Sequence, residues 1–175
     1  MPDSGTDFHT KLIAALVESD DMRRSERARR IEWLSALPIH DGIIAGSIDT
    51  LGMLHEARDC FVEGSYIAVL LLADSFIEHI ITDELIERGL AKYGINDSIK
   101  VARENNIFSI NMLIQAGHLR EIRNPFVHRK SPTHQHSFGN RFIQSGAHPT
   151  ALLEKDAKDA LALMYEFFYA TLKEE

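Results

Sequence analysis

Cysteine is almost missing from this chain: Cys60 is the only one among 175 residues. A single thiol excludes an intramolecular disulfide and a cysteine-based zinc site, and it suits a reducing compartment. Cys60 lies inside an apolar pattern, where a small buried hydrophobe is the expected role rather than a nucleophile. Long apolar runs are missing as well. The longest, Tyr66 to Ala73, falls far short of the ~20 residues that span a bilayer. The opening MPDSGTDFHT has neither the basic nor the apolar region of a signal peptide, so a cytoplasmic protein with no membrane association is expected. Positive charge is in deficit, with 19 Lys and Arg against 26 Asp and Glu and a net charge of −7. That balance excludes general coating of polyanions and confines any nucleic-acid contact to a local patch. No glycine-rich phosphate loop, H-E-x-x-H or G-x-S-x-G occurs, so common nucleotide hydrolases, zinc proteases and serine hydrolases find no support.

What the chain does have is helical periodicity almost throughout. With 45% hydrophobic residues it is long enough for one sizeable core, and a single all-α domain is expected over 1–175. An N-terminal helical extension occupies 1–46. In it, Phe8, Leu12, Ile13, Leu16 and Val17 mark a short first helix, and DDMRRSERARRIEWLSALP reads as a second. Its arginines Arg23, Arg27 and Arg30 share a stripe that Glu26 and Glu32 can neutralise. IHDGIIAG, 39–46, reads as a connection. A third helix, capped by Ser47, runs to Gly64, and Ser65 at once caps a fourth, which forces the two antiparallel. From Tyr66 to about Leu90 that fourth helix is apolar on most of its circumference, the mark of an element buried on several sides. Asp74 and Glu78 interrupt it on one face, as a solvent-facing edge or as partners of buried cations, the former being the expectation. A short helical piece follows over Asp97 to Glu104, and the last helix buries an apolar face through Leu153, Ala157, Leu161, Met164 and Phe167.

The chemistry concentrates in SINMLIQAGHLREIRNPFVH. At roughly 100° per residue, with Arg123 as zero, Met112, Leu119, Ile122 and Phe126 fall between about 260° and 340° and face a core. Asn124 lands near 100° and His128 near 140°, so Arg123, Asn124 and His128 share an arc away from that core. Histidine side chains exchange protons near neutral pH, and a guanidinium stays charged and can clamp a phosphate. A plainer alternative is that Asn124 caps a fresh turn with Pro125 at its first position, leaving Arg123 and His128 as ordinary polar residues.

The pattern Arg123-Asn124-Pro125-Phe126-Val127-His128 resembles the R-x4-6-H signature of HEPN domains, the higher eukaryote and prokaryote nucleotide-binding helical bundles. Leu119-Arg120-Glu121-Ile122 is similar to the usual lead-in, and EGSYIAVLLLADSFIEHII to a helix with an internal glutamate, here Glu78, over a likeness spanning about 47–172. The resemblance implies an up-and-down helical bundle that dimerises through the motif-bearing helices. It further implies a metal-independent endoribonuclease, of toxin–antitoxin or phage-defence type, that cuts RNA by 2′-hydroxyl attack. Arg123 and His128 would then be catalytic, Asn124 would position the phosphate or the histidine, and Glu78 would support them. No cofactor is implied. Internal transfer needs an acid and a base, and a two-fold homodimer supplies two histidines. Some such toxins carry a tyrosine two residues after the histidine that an antitoxin modifies. Lys130 stands there, so a protein antitoxin would have to act otherwise. The alternative function is a non-catalytic HEPN-like module that binds RNA, a nucleotide or a protein through the same cleft.

Residues 129–149 read as a long irregular loop. From His118 through His148 the chain carries five Lys or Arg and five of its nine histidines against a single acid, Glu121. In an acidic protein that patch is where an RNA backbone would sit, with Arg120, Arg129, Lys130 and Arg141 as its contacts. Phe138 and Phe142 are expected to pack the loop onto the bundle rather than stack on bases. His128, His134, His136 and His148 raise a metal site, but H-x-H in a loop without a nearby acid has no fixed ligand geometry, and none is expected.

Overall fold

The computed structural model describes residues 4–37, 48–90, 94–131 and 133–172. Every regular element among them is a helix, so the all-α class holds. The chain divides into two compact units, Met1–Pro38 and Ile39–Glu175.

The first unit is one helix, α1 (Ser4–Ser35), where two were expected. No glycine or proline interrupts the chain from Thr6 to Leu37, and the acids at Asp20 and Asp21 pair within the helix instead of starting a new one. Asp21 meets Arg24 at 2.7 Å and Glu26 meets Arg29 at 2.8 Å, exposed pairs of the i, i+3 kind that support a solvated helix. Phe8, Leu12, Leu16 and Val17 remain exposed.

In the second unit α2 (Ile48–Glu63) ends where Gly64, with φ of 80°, takes the left-handed conformation that releases the chain. The expected caps differ in outcome. Ser47 and the 39–46 connection lie outside the described residues, and Ser65 stands at the start of α3 (Tyr66–Glu87) without a side-chain capping bond. Phe61 and Tyr66, both buried with ring centroids 6.0 Å apart, close the turn between α2 and α3.

α3 is the hub. Its periphery meets α2, α4 (Ile95–Glu104), α5 (Ile110–Val127) and α7 (Pro149–Ala170), which is why its sequence is apolar nearly all round. Val69, Leu70, Phe76, Ile81 and Leu85 are fully enclosed, together with Leu113 from α5 and Leu161, Met164 and Phe167 from α7. Phe108, just ahead of α5, sets its ring 4.9 Å from that of Phe167 and fixes where α5 begins. Ser109 then caps α5 by accepting from the Met112 N–H.

Two expectations for 120–149 change. Pro125 lies inside α5, which continues to Val127, so Asn124 does not cap a new turn. Proline forfeits one backbone bond but sits within the last helical turn, where only a short stretch of helix must absorb the defect. The irregular loop of 129–149 contains a further helix, α6 (Phe138–Ser145), capped by Ser137 and closed by Gly146 at φ of 63°. Eight residues are too few to register as a period, although the serine and glycine that bound them are ordinary stop signals.

Phe76→Ala, at the centre of α3 with no exposed surface, is expected to cost about 3–5 kcal/mol in chemical denaturation, the usual loss for an emptied aromatic site.

Candidate functional site

Asp74 is where the site begins. On α3 it lies between buried Ala73 and Phe76 and is itself 5% exposed. A carboxylate so enclosed requires a cation, and α5 supplies one: Arg123 donates from Nε to Asp74 Oδ2 at 2.5 Å. The expectation of a solvated edge is therefore corrected for Asp74. The angular expectation for Arg123 is corrected too. Zero degrees adjoins the edge of the core sector, and a long side chain there reaches inward to a buried acid instead of outward.

A chain of bonds runs on from that pair. Arg123 Nη1 donates to Asn124 Oδ1 at 3.0 Å, which turns the amide toward the guanidinium. The His128 backbone N–H donates to the Asn124 carbonyl at 2.8 Å, the final helical bond, and His128 leaves the helix in extended conformation as its C-cap. Its imidazole is exposed while Arg123 and Asn124 are half-buried. Buried acid, clamped arginine, oriented amide and free imidazole thus follow one another from the core to the surface. Arg123 and His128 are five positions apart, so the two stand near the end and at the C-cap of the same helix.

The other sequence candidates separate. Arg129 and Lys130 follow His128 directly and are exposed. Glu78, one turn along α3 from Asp74, is 3.7 Å from Arg120, and that guanidinium has its Nη1 buried without a hydrogen bond. Glu78 therefore serves Arg120 rather than Arg123. Arg141 points elsewhere: its Nη1 and Nη2 donate to Asp156 on α7 at 2.8 and 2.6 Å. Phe138 packs its ring 5.8 Å from that of Phe126, in line with a packing role, and leaves Phe126 half-buried at the rim of the core.

The histidines take separate roles, although two of them meet one acid, Glu121, where no acid near the loop was expected. His148 caps α7 by accepting from the Thr150 N–H, and His134 Nδ1 accepts from the His136 N–H. His136 and His118 lie 3.4 and 3.7 Å from the Glu121 carboxylate. No group of three or more His, Cys, Asp or Glu among the described residues is arranged to hold a metal. No helix among them is long and apolar enough to cross a membrane.

Sequence reasoning undervalued Asp74 and missed Asp156. Each carried a signal, an acid placed on an apolar stripe where solvent exposure would demand a neighbouring gap in the pattern. Comparison of the chain with protein-family models, with curated proteins and with solved structures finds no match.

Cys60 is half-buried, and burial pushes its thiol up, with Glu56 and Asp59 adding to the effect. Less thiolate is then present at any pH below its titration, so Cys60 is poorly suited to nucleophilic work. Alkylation by iodoacetamide at pH 8 is expected to run at least ~3-fold slower than for free cysteine. Asp74→Ala strands a guanidinium that is 13% exposed, with an expected loss of about 3–5 kcal/mol in urea unfolding. Asp74→Leu combined with Arg123→Leu is expected to recover much of that loss, since it removes both charges.

Proposed function

We propose that the chain is a metal-independent endoribonuclease of HEPN type, acting as a homodimer. The observation that carries the reading is the side-chain series Asp74, Arg123, Asn124, which holds a guanidinium at the end of α5 where the C-cap His128 is exposed. The exposed Arg129 and Lys130 beside it support an RNA backbone as the substrate, since the chain as a whole is acidic and would repel one elsewhere.

In this reading His128 of one subunit takes the proton of the ribose 2′-hydroxyl. The 2′-oxygen attacks the adjacent phosphorus, and the bond to the 5′-oxygen of the next nucleotide breaks. The equivalent histidine across the two-fold axis returns a proton to that leaving oxygen. Products are a 2′,3′-cyclic phosphate and a 5′-hydroxyl. Arg123 stabilises the charge that builds on the phosphate oxygens, and Asp74 holds it in place. A toxin or defence role, and control by a protein antitoxin, belong to the same proposal.

One observation favours a second reading, a non-catalytic module that binds RNA, a nucleotide or a protein through the same surface. The Arg123 charge is already compensated by Asp74, so less of it is left for a phosphate. Turnover separates the two. Purified protein in EDTA is expected to cut RNA and leave 2′,3′-cyclic ends, and His128→Ala to lower the rate at least ~100-fold without unfolding the chain. Absence of cutting by well-folded wild type on any RNA tried would reject the nuclease and leave the binding module.

A further inference from the structure

α6 sits on the bundle in an unusual way: none of its eight residues is buried. Phe138 fastens its first turn through the Phe126 ring, 5.8 Å away, and the second anchor is polar. Asp156 belongs to the inward stripe of α7, between buried Leu152 and Ala160, and its side chain is 4% exposed. Arg141 of α6 meets it with both terminal nitrogens, at 2.8 and 2.6 Å, and is itself 16% exposed. A two-pronged guanidinium–carboxylate pair fixes orientation as well as distance. Lifting α6 would break both bonds and take from Asp156 the cation that compensates it, so the pair acts as a latch.

The latch matters for the segment that α6 closes. Residues 128–137 connect the end of α5 to the Ser137 cap, and Arg129 and Lys130 are its first two residues after His128. The neck of this segment is drawn together by the Phe126 and Phe138 rings, 5.8 Å apart. Inside it, the His134 N–H donates to the Ser131 carbonyl at 3.0 Å and the Ser137 N–H to the His134 carbonyl at 2.8 Å. His136 adds an outer tie, 3.4 Å from Glu121, but that carboxylate is half exposed and such pairs hold little. The Arg141–Asp156 pair is both enclosed and two-pronged.

We propose that Arg141 is a positioning residue: through Asp156 it locks α6, and thereby holds Arg129 and Lys130 in place beside His128 for an RNA backbone. The proposal rests on the RNA reading of the site and replaces a direct RNA contact by Arg141. Arg129 and Lys130 grip the strand, and the latch determines how well they are placed to do so.

Arg141→Lys keeps the charge and removes the fork. Amide hydrogen exchange of the full-length variant is expected to speed at least ~10-fold over 138–146, while α3 and α7 keep wild-type protection. A non-cleavable 2′-O-methyl RNA is expected to bind several-fold more weakly, and cleavage, where measured, to show a raised KM with kcat within about 2-fold of wild type. Unchanged exchange over 138–146 would overturn the latch while leaving the RNA reading intact. Loss of protection throughout the bundle would overturn it too, by making the pair a general fold contact. If wild type binds no RNA but the exchange pattern is as expected, the RNA reading fails and takes the positioning role with it, leaving a purely structural latch. Arg141→Ala with Asp156→Ala removes both charges and is expected to loosen α6 as the lysine variant does, with the bundle still folded.

Discussion

The enclosed ion pair between Asp74 and Arg123 is the constraint from which the rest of the site follows. A carboxylate in the middle of an otherwise apolar helix is a liability unless a cation reaches it in one defined geometry. Arg123 meets that demand from α5, which fixes the rotation of α5 against α3. Once that rotation is fixed, Leu119 and Ile122 face the core, Asn124 is turned toward the guanidinium, and the chain exits at His128 with its imidazole in solvent. The same interaction that orders the fold therefore decides which polar groups are presented at the end of α5. It also limits them, because part of the Arg123 charge is spent on Asp74, and any phosphate that binds there competes with a carboxylate.

A second enclosed pair, Arg141 with Asp156, repeats the logic at the other side of the motif. One pair sets the helix that carries Arg123 and Asn124, and the other sets the short helix that ends the segment carrying Arg129 and Lys130. The cations of this stretch of chain are thus held in two different ways. Arg123 and Arg141 are held by internal acids, while Arg129 and Lys130 are left exposed for a ligand. The contrast divides the basic cluster into structural and accessible cations, a division that charge counting along the chain does not make.

Much of the bundle was legible in the sequence, and the reasons are local. Gly64 and Ser65 separated α2 from α3, and the apolar circumference of α3 announced an element with neighbours on several sides. What escaped depended on distance in space or on shortness. α1 was divided in two because acids at 20 and 21 look like a helix start when their arginine partners further along the helix, Arg27 and Arg24, are not weighed. α6 was hidden in a loop because eight residues span barely two turns. Asp74 and Asp156 were misjudged or passed over because their partners lie 49 and 15 residues away, where no periodicity connects them. The shared arc drawn for Arg123, Asn124 and His128 assumed a continuous helix, whereas α5 ends at Val127 and His128 follows it as an extended C-cap.

The central proposal is that an RNA ligand meets this chain at His128, the exposed C-cap of α5. The direct measurement is NMR of the histidine ring protons during titration with a non-cleavable 2′-O-methyl RNA. The account predicts that the His128 resonances shift saturably, that His79 and His148 stay in place, and that Arg123→Gln weakens the binding. A saturable RNA complex in which His128 does not move would contradict it.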